Sequence, residues 1–225
     1  MADPDGSRTI RPLRADAQHN RDQILLAARD VFAEQGVEAP LDDIARRAKV
    51  GIGTLYRRFP DRQALIAAVA LDLIRNSADE GQRALAEEPD ALRALARYMH
   101  RALDLRIGAV MPLLVTGSPL TTDDEYRRLR EESAIAVQVM VERAQEAGLL
   151  RLEVAAGDIG MLIIRLNRPL PKPFPRELGD RLAHRHLDLL FNGLRPVPDA
   201  SSNTLSGPAL SIEDLRSMSP ASDAR

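Results

Sequence analysis

Residues 48–65, AKVGIGTLYRRFPDRQAL, set Gly51 and Gly53 one residue apart, followed by Arg57, Arg58 and Arg62. Two chemistries place glycine in this way: a loop that cradles a phosphate, and a helix that lets another backbone come close. The dinucleotide fingerprint fails, because its third glycine would fall on Tyr56. The preceding residues, LDDIARRAKV, space Leu41, Ile44, Ala45 and Ala48 as a helix rather than as the strand that fingerprint requires. The phosphate-loop pattern fails too, since no glycine is followed by Lys and then Ser or Thr.

Other candidate chemistry is thin. His184 and His186 lie two apart on a predicted helix, so they point about 200° from each other and cannot share a metal. Asp42 and Asp43 form a carboxylate pair, but in a first helical turn they complement the helix dipole. The chain has no cysteine, which excludes disulfides, thiol catalysis and thiolate metal sites. Nothing assembles a nucleophile, a base and an orienting group. The expectation is therefore no catalytic residue, no metal and no cofactor. The alternative is a small-molecule-binding or metal-dependent helical enzyme without a DNA role, which a thermal shift on divalent metals would reveal.

What remains is two short helices around a tight turn. One covers residues 41–48, the turn takes Lys49, Val50 and Gly51, and the second covers 52–59, which is helix-turn-helix proportion. Leu55 and Phe59, four apart, face inward with Val50. Ile52, Gly53, Thr54, Tyr56, Arg57 and Arg58 are left outside. Each outer residue suits DNA. A glycine inside a helix costs about 1 kcal/mol relative to alanine, which a closely approaching phosphate chain would justify. The hydroxyls of Thr54 and Tyr56 can bond phosphate, Ile52 offers a surface to a thymine methyl, and the arginines reach phosphate or guanine edges. From Arg46 to Arg62 six bases, Lys49 among them, face the single acid Asp61, a balance of +5 in a chain whose net charge is −2. The positive field is local and aimed.

From Asn20 to about Val69 the chain resembles the DNA-binding domain of the TetR family of transcriptional regulators. NRDQILLAARDVFAEQG is similar to that family's first helix, LDDIARRAKV to its second, GIGTLYRRF to its recognition helix and PDRQALIAAV to the start of its fourth. The resemblance implies that Ile52, Gly53, Thr54, Tyr56, Arg57 and Arg58 face DNA. It implies that Arg62 replaces a lysine that meets phosphate. Two departures stand out: Pro40 and Leu41 replace a capping hydroxyl, and Lys49 replaces a turn glycine.

These elements need a frame, and 225 residues are enough for a substantial core. Aromatics make up only 3%, apolar residues are mostly Leu and Ala, and no segment alternates as a strand would, so the chain reads as all-α. No stretch has the roughly 18 apolar residues of a membrane span, and no leader pattern opens the chain, so a cytoplasmic protein without a membrane partner is expected. The organisation predicted is a flexible basic arm over 1–19 carrying Arg8, Arg11 and Arg14, a helix-turn-helix domain over 20–65, an effector-binding and dimerisation domain over 66–194, and a disordered tail over 195–225. Within the tail a short helix at 212–218 could form on a partner, though nothing in the sequence requires it. Helices are expected at 61–88, 90–107, around 110–115, and at 124–147, 155–167 and 176–194, the last two joined by the proline-spaced RPLPKPFP.

Two further sites are expected. The last two long helices carry more apolar residues than one stripe needs, so Ile159, Leu162, Ile163, Leu166, Leu187, Leu190, Phe191 and Leu194 are read as a homodimer interface. A dimer would read a near-palindromic operator in major grooves about 34–36 Å apart. The resemblance also implies an effector cavity among the middle helices and release of the operator when it fills. Its candidate lining is Met99, His100, Leu103, Met111, Leu114, Val137, Met140 and Val141, which would suit a small apolar or aromatic compound.

Overall fold

A computed structural model describes residues 10–107, 123–171, 173–196 and 205–217. All regular structure among them is helical: α1 Ile10–Gln35, α2 Leu41–Arg47, α3 Ile52–Arg58, α4 Arg62–Glu87, α5 Ala91–Leu105, α6 Asp124–Glu146, α7 Ala156–Leu166, α8 Arg176–Leu194 and α9 Ile212–Ser217. The chain divides into two compact units, Met1–Val69 and Ala70–Arg225. The helix expected around 110–115 lies outside the described residues.

The first unit is built on an apolar floor that the helical spacing foretells. Ile24, Ala28, Val31 and Phe32 of α1, Ile44 of α2, Leu55 of α3 and Leu65 of α4 are all buried. Gly36 ends α1 at φ +82°, where its N–H bonds the Phe32 carbonyl at 2.9 Å, the left-handed stop that glycine takes without strain. Asp61 caps α4 by accepting from the Ala64 N–H at 2.7 Å. α1, however, starts at Ile10 and not near residue 20, so the flexible arm is corrected for residues 10–19. The cause is local: Pro12 sits in the first turn, where its missing N–H is harmless. Arg, Ala and Gln then follow, and Gln18 bonds Asp22 one turn on at 2.8 Å. Arg8 lies outside the described residues.

The second unit buries one cluster in which Leu95, Met99 and Leu103 of α5 pack with Val137, Met140 and Val141 of α6, Ile159 and Ile163 of α7 and Leu187 of α8. Three hydroxyls brace its helices. Ser77 on α4, Tyr98 on α5 and Ser133 on α6 are mutually bonded at 2.8, 2.9 and 3.0 Å, so each buried oxygen has its partners. Nearby, a Cβ added at Gly81 would lie 2.8 Å from the Ala136 Cβ, so glycine is what lets α4 and α6 approach.

The tail needs the second correction. α9 packs against α7 of its own chain, with Ile212 on the core cluster and the Leu210 N–H donating to Asp158 Oδ1 at 3.2 Å. A Cβ on Gly157 would sit 2.2 Å from the Leu210 carbonyl oxygen, which makes glycine the receptor for this segment. Ser211 and Asp214 form a reciprocal cap: Asp214 accepts from the Ser211 N–H at 2.8 Å, and Ser211 Oγ accepts from the Asp214 N–H at 3.1 Å. The Ser211 hydroxyl, then its N–H, hold the Asp214 carboxyl below the usual carboxylate range. The S-x-x-D spacing was the sequence signal for this helix.

Candidate nucleic-acid interface

The α2–α3 corner depends on one strained residue. After Ala48, Lys49 takes φ +57°, and the Val50 N–H reaches back to the Ala45 carbonyl at 3.0 Å. A lysine therefore occupies the left-handed position where the resemblance implies glycine. α2 starts without a side-chain cap, as Pro40 dictates. The Thr54 N–H bonds the Gly51 carbonyl at 2.8 Å to open α3, and extended Phe59 before Pro60 closes it.

Burial sorts α3 into two faces. Leu55 and Phe59 are buried, Ile52 and Thr54 are half-buried, and Gly53, Tyr56, Arg57 and Arg58 are exposed. A Cβ at Gly53 would meet nothing within 4 Å, so no neighbour among the described residues requires glycine there. Arg57 donates to Thr54 Oγ1 at 3.0 Å, which holds the guanidinium on the outer face.

The positive field is narrower than the sequence sum. Arg47 makes a two-pronged bond to Glu34 at 2.6 and 2.9 Å, tying α2 to α1, and Arg46 pairs with Asp43. The expected phosphate role of Arg62 meets a competing use: its Nη1 donates to the carbonyl oxygens of Val37 and Ala39, both at 2.6 Å. Those carbonyls belong to the α1–α2 turn and have no helical donor, so a buried-stemmed cation satisfies them. Among the described residues, Lys49 and Arg58 have no acidic partner. Sequence reading also missed Arg21, whose guanidinium stands 5.9 Å from the centroid of the Phe59 ring.

In the second unit the expected sites regroup. Met99, Leu103, Val137, Met140 and Val141 do come together, as one packed cluster. His100 does not point into it: its Nδ1 is 2.8 Å from His184 Nδ1 and its Nε2 is 3.0 Å from Asp188, both on α8, which corrects its expected role as the polar handle of a cavity. Met111 and Leu114 lie outside the described residues. Of the expected interface, Ile159, Ile163 and Leu187 are corrected, because they are buried in their own subunit's core, with Leu162, Leu166, Phe191 and Leu194 packed partly against it. Leu190 is half-buried. The physical reason is that α7 packs on α5, α6 and α9, and α8 on α5 and α7, so an apolar face of each helix is taken up within the subunit. The apolar excess is used mainly inside. Among the described residues no group of three or more His, Asp or Glu has metal-binding geometry, and no helix is long and apolar enough to cross a membrane.

Comparison with known proteins agrees with this architecture. Residues 24–69 match the family described as bacterial regulatory proteins, tetR family, and residues 88–196 match the transcriptional regulator SbtR-like C-terminal domain. HTH-type transcriptional regulators of Staphylococcus aureus are 43% identical over 54 residues, a stretch covering 24% of this chain and only 29% of their length. A TetR transcriptional regulator from Streptomyces coelicolor is 34% identical, with 79% of this chain and 99% of that chain covered and a TM-score of 0.56. A TetR transcription regulatory protein from Mycobacterium vanbaalenii is 33% identical, with 82% and 100% covered and the same TM-score of 0.56. The regulator LfrR from Mycobacterium smegmatis, solved in complex with proflavine, is 25% identical, with 76% and 95% covered and a TM-score of 0.52. With a helix-turn-helix corner in the first unit and an all-helical second unit, both matched along nearly the full length of solved regulators, the chain belongs to the TetR family of transcriptional regulators, which are DNA-binding proteins and not enzymes.

Proposed function

We propose that this regulator is a repressor that binds a near-palindromic operator as a homodimer and is released by a small apolar or aromatic effector. The observation that carries operator contact is the outer face of α3. Gly53 is open, Tyr56 is 49% exposed, and Arg57 and Arg58 point into solvent beside unpaired Lys49. A glycine that no described neighbour requires supports close approach by something outside the chain. The proposed contact set is Lys49, Ile52, Gly53, Thr54, Tyr56, Arg57 and Arg58, with Arg62 serving the turn. Such a protein works beside the chromosome, in the cytoplasm.

The dimer surface moves to the side of α8 opposite buried Leu187. Leu178, Leu182, Leu189 and Gly193 recur there at helical spacing, Leu189 is 57% exposed, and Gly193 has open space at its Cβ. A small residue in such a stripe lets two helices pack closely. The effector reading draws support from the methionine-bearing cluster around Met99 and Met140 and from proflavine in the LfrR relative. An effector releases DNA only by binding the DNA-free form more tightly.

The test is anisotropy of labelled DNA from the protein's own promoter region across a salt series. Affinity should exceed that for scrambled DNA and fall with log salt at about −0.9 per phosphate neutralised. Absence of any preference for the promoter, with no salt dependence, overturns the operator reading. Aromatic compounds added to the preformed complex then test release.

A further inference from the structure

The four histidines are His19, His100, His184 and His186, and two of them meet across the seam between α5 and α8. The Nδ1 atoms of His100 and His184 are 2.8 Å apart, with the rings parallel to within 2° and their centroids separated by 5.1 Å. On the far sides, His100 Nε2 is 3.0 Å from Asp188 Oδ1 and His184 Nε2 is 3.2 Å from Asp104 Oδ1. The four side chains run Asp188, His100, His184, Asp104. They come alternately from α8 and α5, so every contact crosses the seam.

Proton counting fixes the state this geometry demands. A carboxylate only accepts, so His100 Nε2 must donate to Asp188. His184 Nε2 makes an ion contact with Asp104, where a proton is attracted and a lone pair would face the carboxylate. Two ring nitrogens at 2.8 Å form a hydrogen bond only when one holds a proton and the other a lone pair. Three protons on two rings make one imidazolium and one neutral imidazole, a single positive charge between two carboxylates. If the shared proton leaves, either two lone pairs face each other or an Nε2 lone pair faces a carboxylate. If a fourth proton arrives, two N–H groups collide. We propose that His100 and His184 form a shared-proton site that clamps α8 to α5 and is complete in one protonation state only.

The surroundings leave the pair in control. Further along the seam, Arg106 is held by Asp180 at 2.7 Å, with Arg176 at 3.8 Å from the same carboxylate. On α5, Arg97 is held by Glu80 and Glu87, at 2.9 and 2.8 Å. Arg101 and Arg185 are exposed, and His186 is exposed on another side of α8. Among the described residues α6 and α7, which also pack on α5, make no hydrogen bond or ion pair with either ring. The histidine side chains are 32% and 34% exposed, so protons exchange freely with solvent. The device acts on the seating of α8, and it stands whether or not that helix meets a second copy.

Long-range proton–nitrogen NMR of the imidazoles in the full chain, from pH 5 to 9, reads the site directly. Two of the four histidines should titrate in two coupled steps, and His184→Gln should turn the titration of His100 into one step. Four independent single-step titrations in the wild type overturn the proposal, even if the variant fails to fold. The clamp is read by melting: the wild-type midpoint minus that of His184→Gln should pass through a maximum in the range where imidazoles exchange protons. A difference that is constant with pH, or that changes in one direction only, overturns the clamp.

Discussion

The outer face of α3 and the α5–α8 seam are both polar surfaces on an apolar floor, but they treat their charges in opposite ways. On the seam each titratable group, from Asp188 through the two histidines to Asp104, is hydrogen-bonded or ion-paired with a side chain of the same chain. On α3, Tyr56 and Arg58 are left to solvent and Gly53 to open space. Polar groups satisfied internally position elements. Groups left outward beside a conformationally costly glycine are the ones the proposed operator contact would use. The same contrast runs inside the first unit, where Arg47 and Arg62 are used on Glu34 and on two carbonyls while Arg58 is not.

The largest break of this contrast comes from beneath α3. Leu55 is wholly buried, so Leu55→Ala should cost about 2–5 kcal/mol by transfer plus cavity. Operator binding should vanish while the proposed dimer, read by sedimentation, survives. A variant with undiminished operator affinity would show that α3 does not need its floor.

Arginines of the two kinds should then separate by salt. Arg58→Gln should shallow the salt slope of operator binding by about 0.9, the loss of one phosphate contact. Arg62→Gln should leave the slope unchanged and lower stability by about 1 kcal/mol, less than the roughly 1.5–3 kcal/mol of hydrogen bonds to a charged group because the site is only part-buried. Denaturant melts and salt titrations of both variants check this. A shallower slope for Arg62→Gln would return it to the phosphate contacts.

What the sequence disclosed follows the range of each interaction. The helix-turn-helix corner is local: the apolar spacing of α2 and α3 and the short turn between them act within a few residues, so both helices were legible nearly to the residue. The roles of Arg62 and His100 were not. Arg62 bonds carbonyls 25 and 23 positions away, and His100 meets partners 84 and 88 positions away, distances over which composition carries no pairing information. Ile159, Ile163 and Leu187 were recognisably apolar, but which side of a helix meets its own core depends on neighbours the chain brings together only on folding. The docking of residues 205–217 is hidden by the Ser and Pro content around it, although Gly157 and the Ser211–Asp214 spacing both mark a docked segment.

The smallest expected effect contrasts two tyrosines. Tyr56 is 49% exposed on α3, and Tyr56→Phe should weaken operator binding by about 1 kcal/mol for every sequence, as expected for one phosphate hydrogen bond. Tyr126 on α6 is only 2% exposed, and burial pushes its phenol above the ordinary value, with the nearby Arg130 charge opposing this more weakly. The sign follows from linkage. The unfolded chain releases this proton first, so the stabilising term is complete below tyrosine's ordinary range, around pH 10, and is lost as pH rises through the higher folded value. Tyr126→Phe should therefore melt nearly as the wild type does at neutral pH, yet lose less stability on the alkaline side. Melting midpoints from pH 8 to 11 measure the divergence. Parallel curves for the two proteins would mean that the Tyr126 hydroxyl ionises in the folded state as readily as in the unfolded one.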